Sequence, residues 1–229
     1  MNRHWRTVAA AVMMGAAFQT VARAEWYVGA ELGRVKHEFR PEYAYAWGGP
    51  NDRYTNRARG TELDLLAGFH FAMYRYFSVA IQARASGNDA AWKLNVYDAY
   101  PDLGVEGEAR LEYEIPYSGT LSVLPEFHLW RFTAFGELGV GGAWLHESKE
   151  SAVSSSYDYR KLVPLATAGA GLRLALLDNL DAFVVYRETF YDRVNYDSNL
   201  PDGSVVESIS DKPVSWSVTG GFVFRFPEE

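Results

Sequence analysis

The chain has 229 residues and no cysteine, and its 22 Lys and Arg against 29 Asp and Glu give a formal net charge of −7. This acidic balance argues against a nucleic-acid-binding protein, which needs a basic surface to neutralise phosphates. The lack of cysteine excludes disulfides, thiolate metal sites and cysteine nucleophiles. Hydrophobic residues make up 48% of the chain, yet the mean hydropathy is only −0.21. A protein that crosses a membrane with helices would be more hydrophobic, so the apolar residues must be dispersed among polar ones.

The N-terminal segment has the three parts of a signal peptide. Two arginines near the start precede the uncharged apolar run Val8–Phe18, and Ala22–Ala24 then supplies a small-x-small cleavage pattern. The apolar run is too short to span a hydrocarbon core of about 30 Å. The sequence therefore predicts a cleaved signal peptide over residues 1–24 and a single exported domain over residues 25–229. Export without cysteine fits the envelope of a Gram-negative bacterium.

The rest of the chain alternates apolar and polar residues with a period of two, which predicts β-strands. In the stretch Leu162–Leu177, for example, alternate positions are apolar, and a helix would bury Arg173 among leucines. The fourth predicted strand is long and keeps one parity, with Tyr113 and Ile115 on the same apolar face as Tyr117. Eight segments show the pattern: Trp26–Gly33, Glu62–Phe71, Phe77–Ser86, Leu111–Leu129, Phe132–Trp144, Leu162–Leu174, Leu180–Thr189 and Val214–Phe226.

The connections between these segments alternate in length. Three are short, over Ala72–Tyr76, Trp130–Arg131 and Leu176–Asn179, and four are long, over Arg40–Gly60, Gly87–Glu108, Glu147–Tyr159 and Asp192–Lys212. This sorting is typical of membrane barrels, which have short periplasmic turns and long outer loops. In such a barrel the apolar face of each strand meets lipid and the polar face lines the lumen. The predicted fold is all-β, an eight-stranded antiparallel up-and-down transmembrane β-barrel in the outer membrane, with both termini in the periplasm.

Three segments resemble strands of a known superfamily. They are Glu25–Gly33 at the start, the glycine-rich Thr133–Gly142 in the middle, and Gly220–Phe226 at the end. These segments resemble the small outer-membrane barrels that include the outer-membrane protein A transmembrane domain, the opacity proteins and the W-type barrels. The resemblance implies that the barrel-assembly machinery is a transient partner. The chain departs from the family pattern at its end, because family members usually end at the final phenylalanine and Pro227–Glu229 follow Phe226 here.

Charged residues on the polar faces predict a network inside the barrel. Asp64 and Arg84 lie at equal distances from one short turn, and Arg173 and Asp181 from another, so each couple is expected to pair across strands. The other inward charges leave an acidic excess: Glu31, Glu62, Glu112, Glu114, Glu126 and Glu137 against Arg187 and Arg225. Two alternatives follow, a plug of salt bridges that seals the barrel and a thin water path that prefers cations.

Two weaker patterns concern catalysis and metal binding. His146 and Ser148 share the outward face of the fifth strand, and Asp158 lies across the loop, which faintly resembles the His-x-Ser pair of lipid A deacylase barrels. In those enzymes an asparagine follows the serine, whereas Lys149 stands here. His70 and His128 point inward and could form half a metal site, but no third ligand follows from the sequence. They are expected to hydrogen-bond to acids such as Glu126.

The predicted function is that of a non-enzymatic barrel with an envelope-structural role or a surface-interaction role through its four loops. The alternatives are a narrow, porin-like passive channel and a surface lipid A deacylase-like hydrolase. The expected partners are outer-membrane lipid, lipopolysaccharide and an unknown surface ligand, with no nucleic acid, metal or cofactor, and the protein is expected to be a monomer. Since the chain ends at the last strand, no peptidoglycan-binding domain is expected. Loop aromatics could form a recognition surface or extend the sheet: Tyr43, Tyr45, Trp47, Tyr54, Trp92, Tyr97 and Tyr100.

Overall fold

The structure is a computed structural model that describes residues 24–45, 52–53, 55–74, 76–100, 105–151, 156–199 and 205–226. The predicted signal peptide lies outside the described residues except for Ala24, which begins the first strand. Trp47 and Tyr54 also lie outside them. Among the residues described, no helix is long and apolar enough to cross a membrane.

Eight long strands form the barrel wall. Numbered in chain order, they are β1 (Ala24–Phe39), β4 (Asn56–Tyr74), β5 (Phe77–Asn88), β7 (Val105–Leu129), β8 (Phe132–Ser151), β9 (Tyr157–Leu177), β10 (Leu180–Tyr191) and β13 (Val214–Arg225). The strands pair in the order β5-β4-β1-β13-β10-β9-β8-β7, and a further pairing of β5 with β7 closes the ring. Every pairing is antiparallel. The predicted eight-stranded antiparallel barrel is confirmed, and its closure leaves no free edge in the wall.

The outer surface of the wall is a belt of exposed apolar side chains. Leu65, Leu138 and Val140 are each more than 60% exposed, and aromatic residues such as Trp26 and Phe132 lie nearer the ends of the strands. A contiguous apolar surface of this kind is stable against lipid but not against water. In outer-membrane barrels the short turns face the periplasm, so we assign that side to the end that carries the short turns here, called the turn end. The opposite end, called the loop end, faces the cell exterior.

Five shorter strands occupy segments that the sequence predicted as long loops. They are β2 (Glu42–Tyr45), β3 (Asp52–Arg53), β6 (Ala91–Tyr100), β11 (Val194–Asn199) and β12 (Val205–Asp211). Strand β6 pairs with the loop-end half of β7, and the other four form a separate sheet in the order β11-β12-β2-β3. Alternation with period two needs several residues to be recognised, and β2, β3, β11 and β12 have only two to seven residues each. The wall strands also project beyond the membrane, because about 10 residues suffice to cross it and β8 has 20.

Strand β7 corrects the prediction that its parity never breaks. Glu114 pairs with His146 of β8, but Tyr117 pairs with Trp144, so β7 carries one extra residue in between. Such a β-bulge reverses the faces of the strand beyond it. Ile115 is consequently buried inside the barrel at 1% exposure, as is Tyr113, whereas Tyr117 faces outward at 64%. Pro116 lies in the bulge, where its missing N–H costs no ladder hydrogen bond.

The interior is layered rather than polar throughout, which differs from the prediction. The inward residues of β10 alternate in character along the barrel axis. Asp181 is charged, Phe183 and Val185 are apolar, Arg187 is charged, and Tyr191 is again largely apolar. The apolar layer near the turn end, called the lower apolar layer, comprises Tyr27, Leu66, Ala80, Leu124, Phe135, Phe183, Val185 and Val223. The layer near the loop end, called the upper apolar layer, comprises Val35, Phe39, Ala58, Ala90, Tyr113, Ile115, Ala143, Leu145, Val163, Leu165, Tyr191 and Val194.

Candidate functional site

Between the two apolar layers lies a set of buried ion pairs centred on Arg187, called the central network here. The Arg187 guanidinium donates to Glu137 at 2.6 Å and to both carboxylate oxygens of Glu31 at 2.6 and 3.2 Å. It also donates to the Thr219 hydroxyl at 3.0 Å. Arg187, Glu31 and Glu137 are each no more than 2% exposed. Charge-assisted bonds of this length are among the strongest hydrogen bonds in proteins, and here they join β10, β8 and β1 through the barrel interior.

Asp64 and Arg84 extend the central network to β4 and β5. Their side chains lie 3.5 Å apart, although the strand register places Asp64 opposite Ser86 and Arg84 opposite Leu66. The two strands turn about one residue beyond the midpoint between Asp64 and Arg84, which accounts for the two-residue offset from the predicted alignment. The long Arg84 side chain reaches diagonally from β5 to Asp64 on β4. Glu62 is also buried, with 7% exposure, so four carboxylates and two guanidiniums share this level of the interior.

The predicted pairing of Arg173 with Asp181 does not occur. Arg173 donates to Glu126 at 3.1 Å, and Asp181 accepts from Arg225 at 3.0 Å. The strands β9 and β10 turn at Asp178 and Asn179, beyond the midpoint between Arg173 and Asp181, so Asp181 lies opposite Ala175. This later turn leaves Arg173 two residues out of alignment with Asp181, and each residue pairs with an opposite charge on another strand.

Close to the turn end, four inward side chains from β4, β5 and β7 converge, and they are called the turn-end cluster here. The Ser78 hydroxyl lies 2.7 Å from His70 Nε2, 2.6 Å from His128 Nε2 and 2.9 Å from Glu126 Oε2. His70 Nε2 is itself 2.9 Å from Glu126 Oε2. The sequence indicated the two histidines and Glu126 as neighbours. It did not indicate Ser78, which the inward parity of β5 and its alignment with Glu126 bring to the centre.

His146, the base of the hydrolase hypothesis, is engaged by two carboxylates. Its Nδ1 lies 2.6 Å from Glu114 and its Nε2 lies 3.0 Å from Asp158. Ser148 shares the outward face of β8 with His146 and lies opposite Asp158 of the neighbouring strand β9. A histidine that activates a serine needs one ring nitrogen on the hydroxyl and the other on the carboxylate. The observed arrangement gives both nitrogens to carboxylates.

Basic side chains mark the upper border of the apolar belt. Lys36 lies opposite Arg59 on β4 and opposite Trp216 on β13, with its ammonium 5.0 Å from the centroid of the Trp216 ring. Arg34, two positions nearer the turn end, donates to the Thr61 hydroxyl at 3.4 Å. These three cations, called the basic rim here, border a groove of about 380 Å³. The rim therefore lies where the apolar belt meets the polar region of the outer leaflet.

Asp211 lies at the junction between the four-stranded sheet and the barrel. Its carboxylate accepts a hydrogen bond of 2.7 Å from the backbone amide of Arg40, and the residue is only 2% exposed. Burial raises the pKa of Asp211 to about 6, although the Arg40 amide opposes the shift. A folded-state pKa above the unfolded value makes the ionised carboxylate unfavourable to the fold. The stability of this junction therefore falls as pH rises from about 4 to about 6.

Asp211→Asn is expected to remove this pH dependence and to stabilise the four-stranded sheet at neutral pH. The rise of the Asp211 pKa from 3.8 to about 6 limits the gain in stability to about 3 kcal/mol, at 1.36 kcal/mol per pKa unit. The asparagine oxygen can still accept the hydrogen bond from the Arg40 amide. The measurement is hydrogen exchange of the β12 amides at pH 4.5 and 7.5, corrected for intrinsic rates. A variant that keeps the wild-type difference between the two pH values would show that Asp211 is not its source.

The closed antiparallel wall, the apolar belt and the charged interior define a transmembrane β-barrel of the bacterial outer membrane. No protein-family model and no curated protein matches the chain. Among solved structures, it is similar to Neisserial surface protein A, with a TM-score of 0.44, 15% identity and coverage of 89% of this chain and 99% of that one.

Two further barrels show the same kind of likeness. One is Ail, the attachment invasion locus protein of Yersinia pestis, solved with the heparin analogue sucrose octasulfate, with a TM-score of 0.35 and 16% identity over 87% of this chain and 99% of that one. The other is the N-terminal β-barrel domain of Pseudomonas aeruginosa OprF, with a TM-score of 0.33 and 13% identity over 86% and 97%. At these identities the likeness concerns the fold alone.

Proposed function

We propose that this protein is a sealed, non-enzymatic, monomeric barrel that supports the envelope and presents its extracellular strands to a surface partner. The observation that carries the proposal is the filled interior. The lower apolar layer, the central network and the upper apolar layer follow one another along the barrel axis. An eight-stranded barrel has an interior only wide enough for side chains. A water path along the acidic residues would have to cross both apolar layers.

The extracellular strands support the surface role. Strand β6 extends the wall beyond the membrane, and β2, β3, β11 and β12 form a second sheet from two different loops. Joining two loops into one sheet lowers the conformational entropy that a partner would have to remove on binding. An ordered extracellular platform of this kind suits recognition better than four independent loops.

Reconstitution into planar bilayers tests the sealed interior. The purified barrel is expected to give no conductance steps above the lipid background in 1 M KCl. Insertion is checked in the same preparation by protease protection of the wall strands. Reproducible cation-selective steps would support the narrow channel instead and would overturn the sealed-barrel proposal.

The basic rim is proposed to bind the phosphate groups of lipopolysaccharide. Replacing Arg34, Lys36 and Arg59 by alanine is expected to reduce the lipopolysaccharide that copurifies with the barrel, because each cation near an anionic membrane surface contributes about 1 kcal/mol. Arg131→Ala is the control, since this exposed arginine lies at the turn end, where the inner leaflet carries no lipopolysaccharide. Equal loss in the control, or no loss in the triple variant, would contradict this role of the rim.

A further inference from the structure

We propose that the turn-end cluster is a binding site for one divalent transition-metal ion, with zinc the best fit. The protein ligands are His70 Nε2, His128 Nε2 and Glu126 Oε2, and the Ser78 hydroxyl or a water molecule takes the fourth position. Two imidazoles and one carboxylate with a further open position form a common ligand set of zinc sites that keep an exchangeable ligand.

The spacing of the donor atoms suits such an ion. The three ligand atoms all lie within 4.8 Å of one another, with Glu126 Oε2 at 2.9 Å from His70 Nε2 and 3.8 Å from His128 Nε2. Tetrahedral zinc with bonds of about 2.0–2.1 Å requires ligand atoms about 3.4 Å apart. The two distances from Glu126 bracket this value, and the two histidine nitrogens lie within 4.8 Å of each other. The Ser78 hydroxyl already lies less than 3 Å from each of the three ligand atoms.

The orientation of the two rings distinguishes a metal site from a catalytic triad. Both histidines present the same nitrogen, Nε2, to the Ser78 hydroxyl, and Glu126 meets this common point rather than the far side of either ring. A nucleophilic serine would have the carboxylate on the Nδ1 side of its histidine. Donors that converge on one point are the arrangement that a metal ion requires.

Outer contacts hold two of the ligands in the required state. The Nδ1 of His128 lies 2.9 Å from the Thr133 hydroxyl, and a proton on Nδ1 leaves Nε2 free to bind a metal. The other oxygen of Glu126 accepts from Arg173 at 3.1 Å, which fixes the carboxylate with Oε2 toward the histidines. Such outer-shell partners orient the ligands of metal sites in general.

The charges nearby also permit a cation. Arg173 and Arg225 are the neighbouring guanidiniums, and three carboxylates lie against them, namely Glu126, Asp181 and Glu25. Arg131 also lines this cavity, so three guanidiniums face three carboxylates before any metal binds. The fixed charges therefore balance, so an incoming cation meets no net positive charge in this part of the interior.

The cluster is accessible from the turn end and closed on its other side. His70 and His128 border a cavity of about 160 Å³, and their side chains keep 15% and 29% of their surface exposed. Toward the loop end the lower apolar layer fills the barrel. An ion that enters from the periplasm would consequently be retained rather than passed through, and it would join β4, β5 and β7.

Metal titration of the untagged barrel in detergent, after removal of metals with a chelator, tests the proposal. The wild type is expected to bind one zinc ion per chain with micromolar or tighter affinity, measured against a chromophoric competitor. Cobalt is expected to give the visible absorption of a tetrahedral complex. Loss of a residue that only orients a metal ligand weakens binding by about 10–100-fold. His70→Ala and His128→Ala each remove a ligand, so each should weaken zinc binding by more than this. Ser78→Ala should bind more weakly by at most about tenfold, because water can replace the hydroxyl.

His146→Ala is the matched control, since this histidine lies between two carboxylates outside the cluster, and it should leave affinity unchanged. Folding of each variant is checked by the heat-dependent shift of barrel mobility on gels. A folded wild type that binds no zinc at micromolar concentrations would overturn the proposal. So would equal affinity in His70→Ala, or loss of binding in His146→Ala. The sealed-barrel proposal is tested separately, by the conductance measurement in planar bilayers.

Discussion

Arg187→Met is expected to lower the free energy of unfolding by about 3–5 kcal/mol, the usual cost of removing one partner from a buried ion pair. The substitution leaves Glu31 and Glu137 as buried carboxylates without the cation that lies 2.6 Å from each of them. No water can reach them easily, because apolar layers lie on both sides. The measurement is equilibrium unfolding in urea, with the barrel folded in lipid vesicles.

Two further variants identify the cause of this loss. Arg160→Met removes an arginine whose side chain is 69% exposed and paired with Asp158, and an exposed pair of this kind is worth about 0–1 kcal/mol. Combining Arg187→Met with Glu31→Gln and Glu137→Gln removes the uncompensated charges and is expected to restore much of the stability. If Arg187→Met unfolded at the same urea concentration as Arg160→Met, the central network would not stabilise the barrel.

Leu138→Arg is expected to cost about 2–4 kcal/mol, the penalty for an arginine at the bilayer midplane of a membrane barrel. Leu138 lies midway along the apolar part of the outward face of β8, between Phe132 and Trp144, and is 66% exposed. Leu129, at the turn end of β7, is 63% exposed and serves as the matched control. Leu129→Arg should cost only about 0–1 kcal/mol, because the penalty falls toward the interfaces.

The comparison of the two leucine variants tests whether the apolar belt is surrounded by lipid or by water. The two side chains are similarly exposed, at 66% and 63%, so a barrel surrounded by water would tolerate both substitutions to a similar degree. The measurement is again urea unfolding from lipid vesicles, with the midpoint of each variant set against that of the wild type. Equal small effects at the two positions would contradict a membrane-spanning belt.

The wall strands were predictable because lipid and a filled interior impose opposite chemistry on alternate residues. Leu63 and Leu65 face outward while Asp64 faces inward, and this contrast is visible in the sequence itself. Loop lengths added the orientation, since short turns and long loops alternate along the chain. Both signals come from local residue order, which a single sequence contains in full.

The partners inside the barrel were less predictable because they depend on register. The β7 bulge at Pro116 displaces one strand against its neighbour, and β9 and β10 turn at Asp178 and Asn179, beyond the midpoint between Arg173 and Asp181. No periodic signal marks either feature. Arg173 therefore pairs with Glu126 rather than Asp181. The turn-end cluster combines residues from three strands. The equal distances of His70 and Ser78 from one turn could have indicated their contact, but the approach of His128 from β7 depends on the pairing of distant segments.

Cysteine labelling in intact cells tests most directly whether the barrel spans the outer membrane with its loop end outward. The protein has no native cysteine, so single substitutions report without background. Arg193 is exposed just beyond β10 at the loop end, and Asp178 is exposed in the turn between β9 and β10. With a maleimide too large and polar to cross the outer membrane, Arg193→Cys should be labelled in intact cells, and Asp178→Cys only after the membrane is permeabilised. Labelling of both variants in intact cells, or of Asp178→Cys alone, would contradict this account.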